Sequence, residues 1–369
     1  MPFEGDIIGP PYARGVCPMG VFDHPDFDQH DSLHFIQDSD SGLKAIIAIH
    51  STALGPAAGG CRRWQYASDE DALTDALRLS RGMSYKNAVA DLPFGGGKAV
   101  ILASDDVPKS PELFRAFGRA VASLDGRYIT AEDVGVSMED MRYVQEETKY
   151  VSGLPQSGNS AGGDPSPWTA VGCFLGIEAA VQSRLDVDTV KGLRVAVQGV
   201  GHVGYHLCRL LHEAGATLVV ADISGECLAR VEKDFPVTVV SPKDLVFEDV
   251  DVLAPCALGN VLTSATIPKL KAKVIGGAAN NQLATEEDGE RLRERGILYA
   301  PDYVINAGGI ISVAHEYLGD SSEEEVRREV EKIPGRLHYI FNEANESDRP
   351  TNLVANELAR RLVNEKRKQ

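Results

Sequence analysis

The first half of the chain carries short apolar runs between segments of helical periodicity. Three of these runs predict buried strands: 43–50, 98–102 and 128–131. A capping-box pattern at Ser68 opens a segment whose apolar residues recur at helical spacing as far as Met83, and a second such segment covers 111–124. The first half is therefore predicted to be a mixed α/β domain.

The second half alternates strand and helix patterns. Apolar runs that predict strands lie at 193–198, 217–221, 237–240, 250–254, 273–275 and 296–299. A helical pattern over 203–214 separates the first two of them. This alternation predicts a parallel, doubly wound sheet. Beyond it, Ser321 and Glu324 form a capping-box pattern for a further helix, on which Glu324 and Arg328 are spaced for an ion pair.

A glycine pattern joins the first strand of the second half to its helix. Gly199, Gly201 and Gly204 form G-x-G-x-x-G directly after the run 193–198. In such a turn the first glycine permits the tight bend, the second admits a pyrophosphate, and the third lets helix and strand pack closely. We predict a Rossmann-type dinucleotide site here, the alternative being a glycine turn without a ligand.

Residues around this turn indicate which dinucleotide would bind. His202 and Val203 begin the helix, whose N-terminus supplies free N–H groups for phosphates. Asp222 follows the next strand, where a carboxylate would bind the adenosine ribose hydroxyls and repel a 2′-phosphate. Because no Arg or Lys occurs at 223–227, NAD is favoured over NADP.

Two lysines in the first half are candidates for chemistry. Lys86 precedes a triple-glycine turn at 95–97, and Lys98 follows it directly. Glycines let backbone or ligand approach closely, and burial at the start of a strand lowers a lysine pKa toward the range of a general base. A phosphate-binding loop is excluded, because Leu92 and Ala99 occupy the positions that would need glycine and Ser or Thr. A surface lysine after a loop is the alternative interpretation.

A carboxylate is available in the same half. Asp133 follows the run 128–131, at a strand end where active-site groups gather, although a turn aspartate is the alternative. Beside a nicotinamide site, two lysines and a carboxylate indicate hydride transfer combined with acid–base catalysis.

Composition and charge narrow the class of protein. The 369 residues carry a net charge of −17, which argues against a nucleic-acid binder. No apolar run is long enough to span a bilayer and no signal peptide is evident, so a cytoplasmic protein is expected. The six cysteines form no C-x-x-C pair. His202 and His206, with Cys208 nearby, are not interpreted as a metal site, because His202 belongs to the glycine-rich turn.

The chain is long enough for two domains. A segment rich in glycine, serine and proline, 153–167, is the predicted linker and hinge. We predict an α/β substrate-binding and catalytic domain at 1–155, joined by C-terminal helices at 335–369. The predicted NAD domain, with a Rossmann-type doubly wound parallel sheet, covers 156–334.

Eight runs of sequence resemble the amino-acid dehydrogenase family, in its leucine, valine and phenylalanine branch. They are LGPAAGGCR (54–62), LRLSRGMSYKNAVA (77–90), GGGKAVI (95–101), TAEDVG (130–135), GDPSPWTAVG (163–172), APCALG (254–259), GGAANNQLA (276–284) and ILYAPDYVINAGG (297–309). The resemblance covers nearly the whole chain. It implies reversible oxidative deamination of an L-amino acid with NAD, giving a 2-oxo acid, ammonium and NADH.

The resemblance also implies a role for each matched position. Lys86 would bind the substrate α-carboxylate, and Lys98 would be the base that activates water for attack on the imino acid. Asp133 would take or return a proton. Further substrate contacts are implied for Gly59, Gly60, Met83 and Asn281, and further cofactor contacts for Thr169, Cys256, Ala257 and Asn280.

Substrate preference follows from positions in the same runs. Family members that act on glutamate carry a lysine and a serine for its γ-carboxylate, and the matching positions here are Ala58 and Val313. A carboxylate buried against them would be disfavoured, so glutamate is rejected. Together with Ala131 and Ile310 they would line an apolar pocket, unless they only pack in the core. Leucine, valine or isoleucine is favoured and phenylalanine or tryptophan is the alternative, since a methylene is worth only about 1–3 kcal/mol.

The resemblance implies a homo-oligomer, and the charge gives no reason to expect nucleic-acid or membrane partners. A non-catalytic NAD-binding regulator is the remaining alternative. The set of Lys86, Lys98, Asp133 and Asn281 argues against it, because a regulator has no need of a paired-lysine site.

Overall fold

Each half of the chain contains one six-stranded sheet. The computed structural model describes residues 20–154, 164–257, 259–319 and 322–368. Within these ranges the two sheets share no strand, and helices cover both of them. This confirms the predicted two-domain α/β fold. None of the helices in the described ranges is both long and apolar enough to cross a bilayer.

The first sheet is mixed. Its strands are β1 (Ser32–Asp38), β2 (Leu43–Ser51), β3 (Ala57–Ala58), β4 (Cys61–Trp64), β5 (Gly95–Leu102) and β6 (Tyr128–Ile129). Their order is β1-β2-β5-β3-β6, with β4 also paired to β5. Helix α1 (Asp69–Val89) packs on one face, and α2 (Pro111–Ala122) and α3 (Met138–Gln145) pack on the other. The predicted strands and helices of this half are therefore confirmed, with α1 continuing past Met83 to include Lys86.

The triple glycine belongs to β5 rather than to a turn, which corrects the prediction. A Cβ on Gly96 would lie 2.0 Å from the backbone nitrogen of Ser84, and one on Gly95 would lie 1.9 Å from the carbonyl oxygen of Ser51. Glycine is needed because α1 and β2 pack directly against the backbone of this strand. The close approach brings the helix that carries Lys86 against the strand that carries Lys98.

The second sheet is parallel throughout, as predicted. Its strands are β7 (Arg194–Gln198), β8 (Thr217–Ala221), β9 (Val237–Val239), β10 (Val252–Pro255), β11 (Val274–Ile275) and β12 (Leu298–Tyr299). Their order is β12-β11-β10-β7-β8-β9. The order of the strands reverses between β7 and β10: β8 and β9 follow on one side of β7, and β10, β11 and β12 follow on the other. Ligands of such sheets bind at this switch point.

The helices of this half and of the tail complete the fold. They are α4 (Ser166–Leu185), α5 (His202–Glu213), α6 (Gly225–Asp234), α7 (Glu287–Glu294), α8 (Asp302–Ile305), α9 (Gly308–Leu318), α10 (Glu323–Val330), α11 (Ile333–Ser347) and α12 (Thr351–Arg367). The sequence patterns did not predict α4 or α9. Helix α4 is buried on several sides, so it lacks the polar face that makes helical periodicity visible.

Helix α10 begins one residue later than predicted. Ser322, rather than Ser321, caps it, and the Ser322 backbone N–H donates to the Glu325 carboxylate at 2.8 Å. Arg328 accordingly lies 3.8 Å from Glu325 instead of pairing with Glu324. Paired serines followed by a run of glutamates fit the capping pattern in two registers, which explains the error. Ser321 itself lies outside the described residues.

The C-terminal helix α12 attaches the tail to the first domain. Arg360 Nε donates to the Tyr85 hydroxyl at 2.6 Å, and Arg367 Nη2 donates to the carbonyl oxygen of His50 at 3.0 Å. Helix α11 instead packs against α4 of the second domain. The residue boundaries proposed between the domains remain predictions, and 155–163 lie outside the described residues.

Two histidines are buried under this C-terminal helix. The His30 and His50 rings lie 4.8 Å apart, and His50 Nδ1 lies 2.7 Å from the Ser84 hydroxyl. Burial, reinforced by the neighbouring His30, lowers the pKa of His50 from 6.5 to about 3. The unfolded chain therefore binds a proton that the folded chain excludes, and stability falls as pH drops below 6.5.

We expect His50→Asn to flatten this pH dependence. Between about pH 7.5 and about pH 5.5 the native chain should lose about 1.4 kcal/mol more unfolding free energy than the variant, since one pKa unit corresponds to about that amount. Urea unfolding at the two pH values measures the difference. His338→Gln, which replaces an imidazole beside Ser183, is the control and should leave the loss unchanged. Equal losses in native chain and His50→Asn would contradict the prediction.

Candidate active site

A cavity of about 330 Å³ lies between the two domains. Its lining comes from β3, β5 and α1 of the first domain and from α9, which follows the second sheet. It brings together most of the predicted catalytic and substrate residues: Ala58, Gly59, Gly60, Met83, Lys86, Lys98, Ala131, Asp133, Ile310 and Val313. Residues that are distant in sequence thus form one surface.

Lys98 and Asp133 form an ion pair in this cavity. Lys98 is 6 % exposed, and its Nζ lies 2.7 Å from Asp133 Oδ2. Gly60 makes room for the pair, since a Cβ there would lie 2.9 Å from the Asp133 Cβ. Gly59 is equally constrained, because a Cβ on it would lie 1.8 Å from the Gly97 carbonyl oxygen. The two glycines therefore allow β5, which carries Lys98, and the loop that carries Asp133 to come together.

Arg62 is a member of the site that the sequence interpretation missed. Its Nε donates to the same Asp133 Oδ2 at 3.1 Å. Burial acts to raise the pKa of Asp133, but the Lys98 and Arg62 cations outweigh it, and the net effect is a lowered pKa. Asp133 is thereby held as a carboxylate.

Lys86 faces the cavity from α1. Burial lowers its pKa from 10.5 to about 8, the nearby Lys98 cation acts in the same direction, and the Asp302 carboxylate of the second domain acts against both. Lys86 forms no ion pair with the residues that the structure describes. A half-buried cation of this kind is available to an anionic group of a ligand.

The two neighbouring asparagines separate in the structure. Asn280, predicted as a cofactor residue, lines the cavity and accepts a hydrogen bond from Asn306 Nδ2 at 2.7 Å. Asn281, predicted to contact substrate, does not line it but borders a different pocket, beside Arg78. Its backbone has φ of +53°, which turns its side chain away from that of Asn280. A sequence pattern gives no signal for such a local reversal.

The sequence interpretation also missed an aromatic pair in the cavity wall. Phe94 precedes β5 and Tyr317 lies on α9, and their rings meet edge to face with centroids 5.9 Å apart. Because α9 was not predicted, no pattern could bring Tyr317 to the site. The pair joins the two domains across the apolar part of the cavity.

The glycine-rich turn fits a dinucleotide at each of its three glycines. Gly199 has φ of +90°, and a Cβ there would lie 2.7 Å from the Ala257 Cβ. A Cβ on Gly204 would lie 2.0 Å from the Gly199 carbonyl oxygen, so helix and strand pack closely. A Cβ on Gly201 would have no neighbour within 4 Å, which leaves space for a phosphate.

Asp222 closes this turn from the end of β8. Its Oδ2 accepts from Val200 N at 2.7 Å and its Oδ1 accepts from Ser224 N at 2.8 Å. These bonds fix the carboxylate where the ribose of a dinucleotide is expected. Arg230, which was not predicted, stacks 4.0 Å over the Tyr205 ring and donates to the Gly201 carbonyl oxygen at 3.3 Å. It adds a cation beside the turn.

The remaining cofactor candidates connect the turn to the cavity. His202 lines an adjoining space of about 350 Å³ that shares Glu132, Pro165 and Val313 with the substrate cavity. Thr169 Oγ1 donates to the Pro165 carbonyl oxygen at 3.0 Å. The other three lie around the turn or in the adjacent core: Val203, Cys256 and Ala257. A continuous cleft therefore runs from the glycine-rich turn to the Lys98–Asp133 pair.

Comparison with known protein families identifies the family to which this chain belongs. One family model, described as Glu/Leu/Phe/Val dehydrogenase, dimerisation domain, matches residues 30–150. A second, described as Glutamate/Leucine/Phenylalanine/Valine dehydrogenase, matches 158–230 and 224–369. The chain belongs to the Glu/Leu/Phe/Val dehydrogenase family. It is an amino-acid dehydrogenase, an oxidoreductase whose family implies a nicotinamide cofactor.

Individual proteins of this family are similar to the chain over nearly its full length. A leucine dehydrogenase of Geobacillus stearothermophilus is 48% identical over 95% of both chains. An L-tryptophan dehydrogenase of Nostoc punctiforme is 48% identical over 91% of this chain and 94% of its own. A crystal structure of L-tryptophan dehydrogenase from Nostoc punctiforme superimposes with a TM-score of 0.81 and 47% identity, covering 92% of this chain and 97% of that one.

Proposed function

We propose that this enzyme catalyses the reversible, NAD-dependent oxidative deamination of an apolar L-amino acid, with leucine, valine or isoleucine preferred. The products are the 2-oxo acid, ammonium and NADH. The observation that carries the proposal is the interdomain cavity, in which Lys86, the Lys98–Asp133 pair and an apolar wall face one another. Leucine dehydrogenases among the relatives support the substrate class.

Lys86 binds the substrate α-carboxylate in this proposal. Lys86 lies in the cavity wall, is half-buried and forms no ion pair with described residues, so an incoming carboxylate supplies the missing counter-charge. That contact orients the α-carbon toward Lys98. The distance from carboxylate site to base is thereby fixed by the contact between α1 and β5.

Lys98 and Asp133 carry out the proton transfers of the reaction in this proposal. Lys98 accepts a proton from the water that attacks the imino carbon, and later returns it as ammonia departs. Asp133, 2.7 Å from Lys98, stabilises the ammonium form of Lys98 and exchanges protons with the departing nitrogen. The glycine-rich turn at Gly199, Gly201 and Gly204 would hold the nicotinamide cofactor, which would supply the acceptor for a hydride from the α-carbon. The cleft between the domains limits the access of bulk water to these groups.

The apolar wall selects the substrate side chain. Ala58, Ile310 and Val313 line the cavity, and the cations among its described lining residues, Lys86 and Lys98, have other roles in this proposal. A γ-carboxylate placed there would lose its hydration without a partner. The wall therefore supports aliphatic side chains and argues against glutamate.

A second candidate is preference for phenylalanine or tryptophan. The edge-to-face pair of Phe94 and Tyr317 favours it, because an aromatic substrate could stack on these rings. Initial rates with saturating NAD and single L-amino acids separate the two. The panel is leucine, valine, isoleucine, phenylalanine, tryptophan and glutamate. We expect the highest kcat/KM among the three aliphatic substrates and none for glutamate, and a higher value for an aromatic substrate would favour the second candidate.

We expect Asp222→Ser to relax cofactor preference. The carboxylate that would bind the ribose and repel a 2′-phosphate is lost, so the ratio of kcat/KM for NAD to that for NADP should fall at least about tenfold. Asp234→Ser is the control, since Asp234 binds the Tyr205 hydroxyl on the same domain. An unchanged ratio in Asp222→Ser would remove the ribose assignment.

We infer that the enzyme forms a homo-oligomer. Strand β1 is the edge of the first sheet within the described residues, and its Phe35 is 62% exposed. An exposed apolar edge strand is a surface that a second chain can pair with. The family model that matches this region is described as a dimerisation domain. Sedimentation equilibrium tests the inference, and a monomer at micromolar concentration would contradict it.

A further inference from the structure

One oxygen atom of Asp133 contacts two cations. Lys98 Nζ lies 2.7 Å from Oδ2, and Arg62 Nε lies 3.1 Å from the same atom. The Lys98 side chain is 7% exposed, whereas those of Arg62 and Asp133 are each about one quarter exposed. The carboxylate therefore has an inner partner toward the cavity and an outer partner toward the surface.

A second carboxylate, Asp75, binds the Arg62 guanidinium on the side away from Asp133. Arg62 Nη1 donates to Asp75 Oδ2 at 3.0 Å, and the Tyr66 hydroxyl donates to the same oxygen at 2.6 Å. Asp75 lies on α1, the helix that also carries Lys86. Arg62 lies on β4. The residue before it, Cys61, pairs with Ala99, which directly follows Lys98. Backbone pairing and a second carboxylate thus fix the guanidinium against Asp133.

The two cations differ in one chemical property. A guanidinium stays charged at every pH that a folded enzyme meets, whereas a base such as Lys98 must gain and lose a proton in each turnover. If Lys98 were the sole partner, its deprotonation would leave a partly buried carboxylate without a counter-charge. Asp133 would then hold the proton on Lys98. A permanent second cation balances the carboxylate in both states of Lys98.

We propose that Arg62 is a positioning residue for the reaction: it fixes Asp133 as a carboxylate while Lys98 changes its protonation state, and so eases proton loss from Lys98. The inference rests on the proposed function of the Lys98–Asp133 pair. Arg62 acts through Asp133 and has no contact with substrate in this scheme.

Other groups near Asp133 do not supply this charge. Cys61 on β4 and Tyr128 on β6 approach it, and burial raises the pKa of both, so each is neutral at physiological pH. The Val134 backbone N–H also acts to lower the pKa of Asp133 but carries no charge. Lys86, on α1, is a cation as well, but in the proposed function it binds the substrate carboxylate.

The test compares Arg62→Gln, Arg62→Lys and Arg63→Gln in the full-length enzyme. Arg63 is the matched control, because it is the next residue on β4 but donates to the Val107 carbonyl oxygen at 2.9 Å, away from Asp133. The measurements are kcat and KM for L-leucine with NAD, and the dependence of kcat/KM on pH.

For Arg62→Gln we expect kcat to fall at least about tenfold, and the acid limb of the pH profile to move to higher pH by about one unit. The KM for leucine should change much less. Arg62→Lys keeps a cation near Asp133, so its acid limb should stay within a few tenths of a unit of the native position. Arg63→Gln should match the native enzyme.

Three outcomes overturn the proposal. They are a native acid limb in Arg62→Gln, a loss of kcat without any shift of that limb, or equal shifts in Arg62→Gln and Arg62→Lys. If Arg62→Gln does not fold, a shifted limb in Arg62→Lys overturns the proposal on its own, and a native limb supports it. Failure of the proposed function is distinguishable, since the native enzyme would then form no NADH with any amino acid.

Discussion

Lys98→Ala is expected to lower kcat for oxidative deamination by about a thousandfold while NAD still binds. General acid–base groups contribute about 10²–10⁴-fold to enzymatic rates, and Lys98 is the basic group nearest to Asp133 in the cavity. The glycine-rich turn that would hold the dinucleotide lies on the other domain. Binding of NAD should therefore change little.

Steady-state NADH formation gives kcat, and fluorescence titration gives the NAD dissociation constant. Lys109→Ala is the control, because Lys109 pairs with Asp140 outside the cavity. Its kcat should equal that of the native enzyme. A near-native kcat in Lys98→Ala would remove Lys98 as the base, and a loss of NAD binding would show that the effect is indirect.

Lys86→Ala is expected to raise the KM for leucine about a hundredfold and to change kcat less. A contact between a buried cation and a carboxylate is worth about 1.5–3 kcal/mol, and about 2.8 kcal/mol corresponds to that factor. Lys149→Ala, at the surface beside Tyr150, is the control. An unchanged KM in Lys86→Ala would mean that another group binds the carboxylate.

The pH dependence of this contact has a definite sign. Since burial lowers the Lys86 pKa to about 8, the ammonium that attracts a carboxylate is present below that pH and lost above it. A 2-oxo acid stays anionic across this range. Its KM in the reductive direction should be flat below about pH 8 and rise with pH above it, and Lys86→Ala should remove the rise. A KM that falls with increasing pH would contradict the assignment.

Local sequence patterns predicted the strands and the glycine-rich turn that carry the candidate site. The six strands of the parallel sheet and its glycine-rich turn each have a signal within a few residues, namely apolar runs bounded by turns and a fixed glycine spacing. Lys86, Lys98 and Asp133 were found from motifs, and the structure brings all three to one cavity. Lys86 lies on α1 and Lys98 on β5, whereas Asp133 lies in the loop that follows β6.

Contacts between distant segments were not predictable in the same way. Arg62 reaches Asp133 because β4 lies beside the segment after β6, with Cys61 bridged to Glu132 and the Arg63 N–H bonded to the Val134 carbonyl oxygen. Tyr317 meets Phe94 across the domains, on a helix whose burial hides its period. Asn281 lies outside the cavity lining, at a residue with positive φ, and its predicted contact with substrate stays a prediction. The triple glycine predicts a turn, because glycine marks bends far more often than it marks a strand packed backbone-to-backbone against a helix. The structure places these glycines in β5.

The most direct test of this account is the yield of NADH and ammonium from L-leucine. Purified native enzyme is mixed with NAD and L-leucine at alkaline pH, absorbance of NADH is followed, and ammonium is assayed in the same sample. The account predicts equal amounts of the two products, and formation of both about a thousandfold slower with Lys98→Ala. Binding of NAD without formation of either product, for leucine and for the other apolar amino acids, would contradict it and favour a non-catalytic NAD-binding regulator.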